Sequence, residues 1–357
     1  MKVRFLGVLL VLLAALGGGA LLVFQQQSAR NSAAAGTTPG QPLFKGLQAS
    51  QVAAIVIRQP KDAITIASKD ERWTIAERGG FPADIDKVRE FVVKAIALKI
   101  GQAEPIGEKD RARLLLDAGG TAIEFLGADG KPLAQLTAGK KYFKTEPENP
   151  EKANADGRYV MLAGDVKRVL VVSDPLPQAS TRSADWISKA GFAAEKVKTM
   201  EVRAADGASW KIERSGDNAD WKLAGARGDE KLDISKANAA SYSLSLIELA
   251  DVAPADPKPE ATGLDQPLMV TAMTLDGLRY TLKLGKLSGE NYYATIAIAG
   301  EPKPEGKDAE ERLKKINARL PREKALAAFT LLIPKSKLDD VVKKRADLLL
   351  KKEEKKK

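Results

Sequence analysis

The feature that most constrains this chain is a plan written twice, one order of strands, turns and helix that recurs about 149 residues downstream. In the first copy, residues 52–58 (VAAIVIR), 63–67 (AITIA) and Trp73-Thr74-Ile75 precede Gly79-Gly80. Ala83-Asp84-Ile85-Asp86-Lys87 then opens a helical stretch to about Leu98. In the second, residues 197–203 (VKTMEVR), 209–213 (SWKIE) and Trp221-Lys222-Leu223 lead to Leu232-Asp233-Ile234-Ser235-Lys236 and a helical stretch to about Ile247. Trp73 and Trp221 lie 148 residues apart, and Asp84 and Asp233 lie 149 apart.

The parallel continues through a hairpin with a DG turn in each half, Asp129-Gly130 and Asp276-Gly277, and a tyrosine strand, residues 158–162 (RYVML) and 291–295 (NYYAT). Each half closes on an apolar strand, residues 169–172 and 328–333, followed by polar residues. Alternation with period two and tight DG turns predicts antiparallel hairpins with one face buried. Val88, Phe91, Val92 and Ala95, and Ala237, Ala240, Leu244 and Ile247, give each helix an apolar stripe. Asp84 and Asp233 stand where an N-cap accepts free N–H groups of the first turn. The predicted fold is α+β: a tandem duplication of an antiparallel or mixed sheet of about seven strands with one main packed helix each, after an N-terminal transmembrane helix.

That helix is expected from residues 5–24 (FLGVLLVLLAALGGGALLVF), an uncharged and mostly apolar run. At about 1.5 Å per residue it spans a hydrocarbon core about 30 Å thick. Lys2 and Arg4 precede it and only Arg30 follows closely, which favours a cytoplasmic N-terminus and sends the rest across the membrane. The expectation is an uncleaved signal anchor over residues 1–27, a single pass of the inner membrane with the body in the periplasm. Cleavage after Ala35, or a break between Gly17 and Ala20, would instead release a secreted periplasmic form. Residues 28–48, rich in small and polar types, read as a flexible stalk. Module one then takes residues 49–185, module two 186–350 with Trp186 in the connector, and a basic tail 351–357.

Composition limits the chemistry. The 357 residues include no Cys and no His, which removes thiol nucleophiles, disulfides, cysteine-ligated zinc, haem with His or Cys ligands and histidine general bases. Carboxylates, Lys, Tyr or Ser would have to carry any catalysis, and a metal would need oxygen ligands. No cofactor is expected. Nucleic acid is not expected either, because aromatic residues make up 5% of the chain and no basic stretch is interleaved with rings.

The repeated strand, Trp-x-hydrophobic, Asp, helix pattern, with Tyr159, Val160, Leu162 and Gly164 and the run Leu170-Val171-Val172-Ser173-Asp174, resembles the bacterial envelope proteins of domain of unknown function 4340. The likeness runs over about residues 51–350. It implies the duplicated fold. It also implies an accessory role beside membrane transporter components of the gliding and ABC-type export kind, and it supplies no active-site residues. The charged stretch at about residues 300–324 departs from the family pattern.

Candidate functional features are surface elements. The stretch at residues 300–324 alternates charges along a helix expected over residues 308–320 and reads as a solvated excursion, with Lys314 and Lys315 offered to a partner. Residues 336–350 are expected to form a C-terminal helix, and Lys343, Lys344, Arg345, Lys351 and Lys352 belong to a basic end suited to anionic lipid, acidic glycan or an acidic protein face. Tyr159, Tyr292 and Tyr293 are the candidates for a ligand groove. Asp165, Asp174, Asp276 and Glu290 are candidate acids without a readable separation. Gly139-Lys140 and Gly285-Lys286 lack the phosphate-loop frame.

The leading functional reading is a non-catalytic, membrane-anchored periplasmic accessory or scaffolding protein of an inner-membrane export or envelope-assembly complex, with ABC-type transporter subunits as partners. The alternative is a binding protein for an acidic envelope polymer or glycan. A carboxylate-based glycan-acting enzyme ranks third.

Overall fold

The computed structural model describes residues 38–70 and 72–350. The chain forms two compact units that divide between Trp186 and Ile187, with the short stretch Glu77–Phe81 grouped with the second.

The first unit contains β1 (Ala54–Arg58), β2 (Ala63–Lys69), β3 (Arg72–Ile75), α1 (Ile85–Ala97), β4 (Ile100–Pro105), α2 (Glu108–Arg113), β5 (Thr121–Leu126), β6 (Pro132–Tyr142), β7 (Gly157–Leu162) and β8 (Arg168–Val172). These strands lie in the order β3-β2-β1-β5-β6-β7-β8-β4, and a ninth, two-residue strand, Phe81–Pro82, extends the β3 edge. Neighbours run antiparallel. Ile55, Ile57, Ile66, Ile123 and Phe125 are buried on the face that receives α1. Phe91 of α1 stacks on Phe125 at 5.8 Å and meets Trp186 edge-on at 5.3 Å.

The second unit repeats the plan with β9 (Val197–Arg203), β10 (Ser209–Glu213), β11 (Lys222–Leu223), α3 (Ile234–Tyr242), β12 (Asp251–Val252), α4 (Pro259–Thr262), β13 (Leu268–Thr274), β14 (Arg279–Ser288), β15 (Asn291–Ala299), α5 (Ala309–Ala325) and β16 (Leu331–Pro334). Its order is β11-β10-β9-β13-β14-β15-β16-β12, the first sheet's order shifted by eight. Leu223 faces Ile212 as Ile75 faces Ile66, which makes Trp221 the counterpart of Trp73. Asp84 and Asp233 each cap their helix by accepting the N–H two residues on, from Asp86 and Ser235.

The repeat reaches further than strands and helix. Leu43 N–H donates to Leu98, and Gly191 N–H to Ile247, so each unit ties an N-terminal segment to the end of its main helix. Asp84 N–H donates to Trp186, and Asp233 N–H to Leu348, so each unit also closes on a C-terminal strap. Residues 38–48, expected as stalk, therefore belong to the first unit, with Leu43 and Leu47 buried and Phe44 6.2 Å from Phe125. Trp186, expected in the connector, is 1% exposed as the strap of the first unit, its indole N–H on the Ser180 carbonyl.

The expected transmembrane helix is corrected. Among the described residues no helix is long and apolar enough to cross a membrane. The longest, α5, has 17 residues and carries charges throughout, whereas a crossing needs about 20 mostly apolar ones. The run at residues 5–24 lies outside the described residues, as do residues 28–37 of the expected stalk. No described helix therefore supports the signal anchor, the single-pass inner-membrane topology or the membrane-anchored accessory function.

The charged insertion also differs from its expectation. It runs to Ala325, and its inner face buries Ile316, Leu320 and Glu323. Glu323 is 1% exposed and accepts from Arg319 Nη1 at 2.7 Å, the Ala193 N–H at 3.2 Å and the Tyr280 hydroxyl at 3.5 Å. Arg312 pairs with the buried Asp276 at 2.9 Å. Burial alone would lower the Arg319 guanidinium, but the hydrogen bond and charge of Glu323 outweigh it and leave it raised. An excursion held in this way is a docked helix. The expected helix over residues 336–350 is broken instead: only Lys335–Leu338 is α-helical, and a 3-10 turn follows at Arg345–Leu348. Between them the backbone turns away to accept the Trp210 indole N–H on the Lys343 carbonyl.

Candidate functional site

A sheet with helices on one side leaves its other face available, and register decides which residues occupy it. In the second sheet Met200, Val202, Ile212, Val270 and Leu282 are buried against the packed side, so their strand neighbours point the other way. Read across paired strands, one row of that helix-free face holds Lys222, Glu213, Thr199, Met273 and Arg279. The next holds Lys211, Glu201, Thr271 and Thr281, and the third Ser209, Arg203, Met269, Lys283 and Thr295. Tyr293, opposite Leu332, continues the face toward Asp251 at the far edge.

Two of the five cations in these rows are neutralised on the spot, Arg203 by Glu201 at 2.6 Å and Lys211 by Glu213 at 3.0 Å. Lys222, Arg279 and Lys283 are exposed and form no ion pair among the described residues. Arg279 and Lys283 lie four residues apart on one strand, about 13 Å, and Lys283 and Arg203 are two strand steps apart, about 10 Å. Thr281 lies between Arg279 and Lys283, with Thr271 opposite it and Thr295 opposite Lys283. The first sheet has Val56 where this one has Glu201, Thr65 for Lys211, Ala122 for Met269 and Thr137 for Lys283. The corresponding rows there contain only the Arg58–Glu124 pair, closed at 2.7 Å. A free cationic surplus is thus a property of the second sheet.

The residues singled out from the sequence are dispersed. Tyr159 lies on the helix-free face of the first sheet, 5.5 Å from Tyr142, and Tyr293 holds the matching place in the second. Tyr292 points to the packed side beside Ile333. Lys314 and Lys315 are exposed on α5, and Lys315 pairs with Glu311 at 2.6 Å, a bond that raises the ammonium and lowers the carboxyl. Lys343 pairs with Asp340, and Lys344 is exposed with its N–H on Asp347. Arg345 grips Glu230 at 2.7 Å and the Gly225 carbonyl at 2.9 Å, and its hydrogen bond holds the Glu230 carboxyl below the usual range. These bonds tie the C-terminal strap to the loop before α3. Lys351 and Lys352 lie outside the described residues.

Three of the four candidate acids have structural partners for their side chains. Asp165 binds Arg168, Asp174 accepts the Leu176 N–H, and Asp276 binds Arg312. Glu290 offers its carbonyl to the Lys335 N–H. Among the described residues no group of three acidic side chains is placed to hold a metal ion. The two Gly-Lys pairs have a packing explanation: a Cβ at Gly139 would lie 2.2 Å from the Leu114 carbonyl, and one at Gly285 2.1 Å from that of Thr262. Each glycine lets the segment around α2 or α4 cross its sheet.

Arg279 and Lys283 were overlooked in the sequence although their signal is present. In 279–284 (RYTLKL) the polar residues alternate with Tyr280, Leu282 and Leu284, which assigns both cations to the unburied face. What sequence alone does not give is which neighbouring strands leave them uncompensated.

A family model described as domain of unknown function (DUF4340) matches residues 73–267. The match covers more than half of the chain, and the chain belongs to that family. It is narrower than the span of residues 51–350 suggested by the motifs. No curated protein and no solved structure matches.

Proposed function

We propose that this DUF4340 chain is a non-catalytic binding module that takes an acidic polymer, first of all an anionic glycan, on the helix-free face of its second sheet. The observation that carries this reading is the set of uncompensated cations, Lys222, Arg279 and Lys283, set among threonine hydroxyls on an extended surface. The formal charge of the whole chain, +10, adds long-range attraction of the same sign. An extended polyanion can meet several such cations at once. A compact anion would reach only one, since Arg279 and Lys283 are about 13 Å apart along their strand and Lys222 and Arg279, four strand steps apart, are about 19 Å apart.

Exposed cations contribute mainly encounter rate and modest affinity, and their effect is screened over about 8 Å at physiological salt. The test is binding of polygalacturonate, with dextran as the uncharged control, over a salt series. The parent should bind polygalacturonate with an affinity that falls as salt rises, and Arg279→Glu/Lys283→Glu should abolish it. Lys314→Glu/Lys315→Glu, on α5, should leave most of it. Equal binding by the sheet variant, or equal affinity for dextran, would overturn the reading. An association with gliding or ABC-type export components is a separate proposal that rests on the family resemblance. Its test is co-purification of permease or ATPase subunits with the full chain at low salt, and their absence would sink it.

A further inference from the structure

The helix-free face of the first sheet is uncharged over most of its area, but at the β4 end it holds a different group. Tyr142 on β6 lies opposite Gly157, Tyr159 on β7 lies opposite Val171, and Gln102 on β4 lies on the other side of Val171. The Tyr142 hydroxyl accepts the Gln102 side-chain N–H at 3.5 Å. β6 and β4 are three strand steps apart, about 14 Å, so both side chains must lie along the sheet to meet. The two rings stand edge to face, 5.5 Å apart at 86°. Val171, which lies between Tyr159 and Gln102 across the strands, is only 8% exposed. Tyr142 and Tyr159 themselves stay half-exposed, so ring surface remains open above the floor they make.

Around the rings are an amide, Gln102, a carboxylate, Glu104, and a guanidinium, Arg113, all exposed. Burial raises the Tyr159 phenol, and the nearby Tyr142, Glu104 and Glu146 add to the rise while Arg113 opposes it. A wholly apolar partner would strip water from these polar groups without replacing their hydrogen bonds, which is unfavourable. A peptide strand would need an open row of backbone groups, and the ring-bearing strands β6 and β7 are paired on both sides. A pyranose fits better, because its C–H face can rest on an aromatic ring while its rim of hydroxyls meets the amide and the carboxylate. Two carboxylates against one guanidinium disfavour an acidic sugar. We infer that Tyr142, Tyr159 and Gln102 form a site for an uncharged sugar ring, separate in residues and in ligand charge from the cationic face of the second sheet.

The experiment is calorimetric titration of the full chain with cellotetraose and with N-acetylated chitotetraose, at low and at high salt. At least one oligosaccharide should bind, with affinity unchanged by salt. Tyr159→Ala should weaken it about tenfold, Gln102→Ala several-fold, and Tyr159→Phe, which keeps the ring, should bind within about twofold of the parent. Thermal unfolding of Gln102→Ala should match the parent, because the side chain is exposed. Arg279→Glu/Lys283→Glu should bind the same oligosaccharide normally, which separates failure of this site from failure of the polyanion reading. The inference is overturned if neither oligosaccharide binds, if Tyr159→Ala and Gln102→Ala both bind as the parent does, or if the second-sheet variant alone removes binding.

Discussion

Replacing Arg319 by Met should destabilise the second unit more than replacing Arg319 and Glu323 together. In the parent, the Glu323 carboxylate is 1% exposed and depends on one cation, Arg319, at 2.7 Å, with neutral donors from Ala193 and Tyr280 at 3.2 and 3.5 Å. Arg319→Met leaves that carboxylate buried without its counter-charge, a loss of about 3–5 kcal/mol. In Arg319→Met/Glu323→Leu no charge is stranded. The Ala193 N–H, and the Tyr280 hydroxyl whose bond is already long at 3.5 Å, then lack an acceptor, which costs about 1–3 kcal/mol, and the added apolar surface offsets part of that. The double variant should therefore keep about 2 kcal/mol of what the single one loses. Because the chain has two units, a single unfolding curve would mix them. Urea-dependent hydrogen exchange at amides of β14 and α5 reads the second unit alone. If both variants lose the same stability, or the single one loses less than about 1 kcal/mol, the buried pair does not hold α5 in the way argued.

Gly139→Ala and Gly285→Ala should each cost about 1–3 kcal/mol by urea-dependent hydrogen exchange at amides of the unit that carries the change, because the new methyl meets a backbone carbonyl near 2 Å. Gly216→Ala, where a Cβ meets nothing within 4 Å, should change little. The hydroxyl of Ser235, with its N–H and Lys236, holds the Asp233 carboxyl below the usual value. Its contribution is thus present above about pH 4 and lost as pH falls through the lowered folded value, so the melting temperature of Asp233→Asn should fall less steeply on that acid limb. Burial, aided by the Glu323 charge, holds the Tyr280 phenol well above its ordinary value. That contribution is present below about pH 10 and lost as pH rises beyond it. Tyr280→Phe should show a flatter alkaline limb in the same measurement, and an unchanged limb would refute the assignment.

Much of the fold was legible because its signals are local. The apolar run in VAAIVIR, the alternation in SWKIE, the DG turns and the two capping aspartates mark elements that fold on nearest-neighbour rules, and the near-constant offset between copies aligns them. β4 and β12 were missed for a physical reason. IGQAEP lacks alternation and β12 has two residues, so each exists through pairing with the last strand of its unit. The straps were missed similarly: residues 38–48 look like linker by composition, yet Leu43, Phe44 and Leu47 supply enough apolar surface to dock. The site was less legible than the fold. Lys343 and Arg345 were selected for charge density, and the structure employs them as ties to Asp340 and Glu230. Whether a cation is free depends on cross-strand neighbours, and those follow from register.

The two copies also show how one unit acquired a helix that the other lacks. On the packed side of the first sheet the paired positions on β5 and β6 hold Phe125 and Ala134, and the matching pair on β13 and β14 holds Ala272 and Tyr280. The large residue has moved one strand over while the pair keeps one ring and one methyl, a change that conserves most of the volume in a close-packed core. In both units that ring meets an aromatic from the N-terminal segment, Phe44 at 6.2 Å and Phe192 at 5.9 Å. The moved ring differs in carrying a hydroxyl, and that hydroxyl is directed at Glu323 of α5. A phenylalanine there would fill the space but leave one fewer donor for a buried carboxylate. The insertion is therefore built into the second core, so shortening the loop at residues 300–308 should be tolerated far better than deleting α5, which would leave Tyr280, Ala193 and Asp276 without the partners that they now share with Glu323 and Arg312.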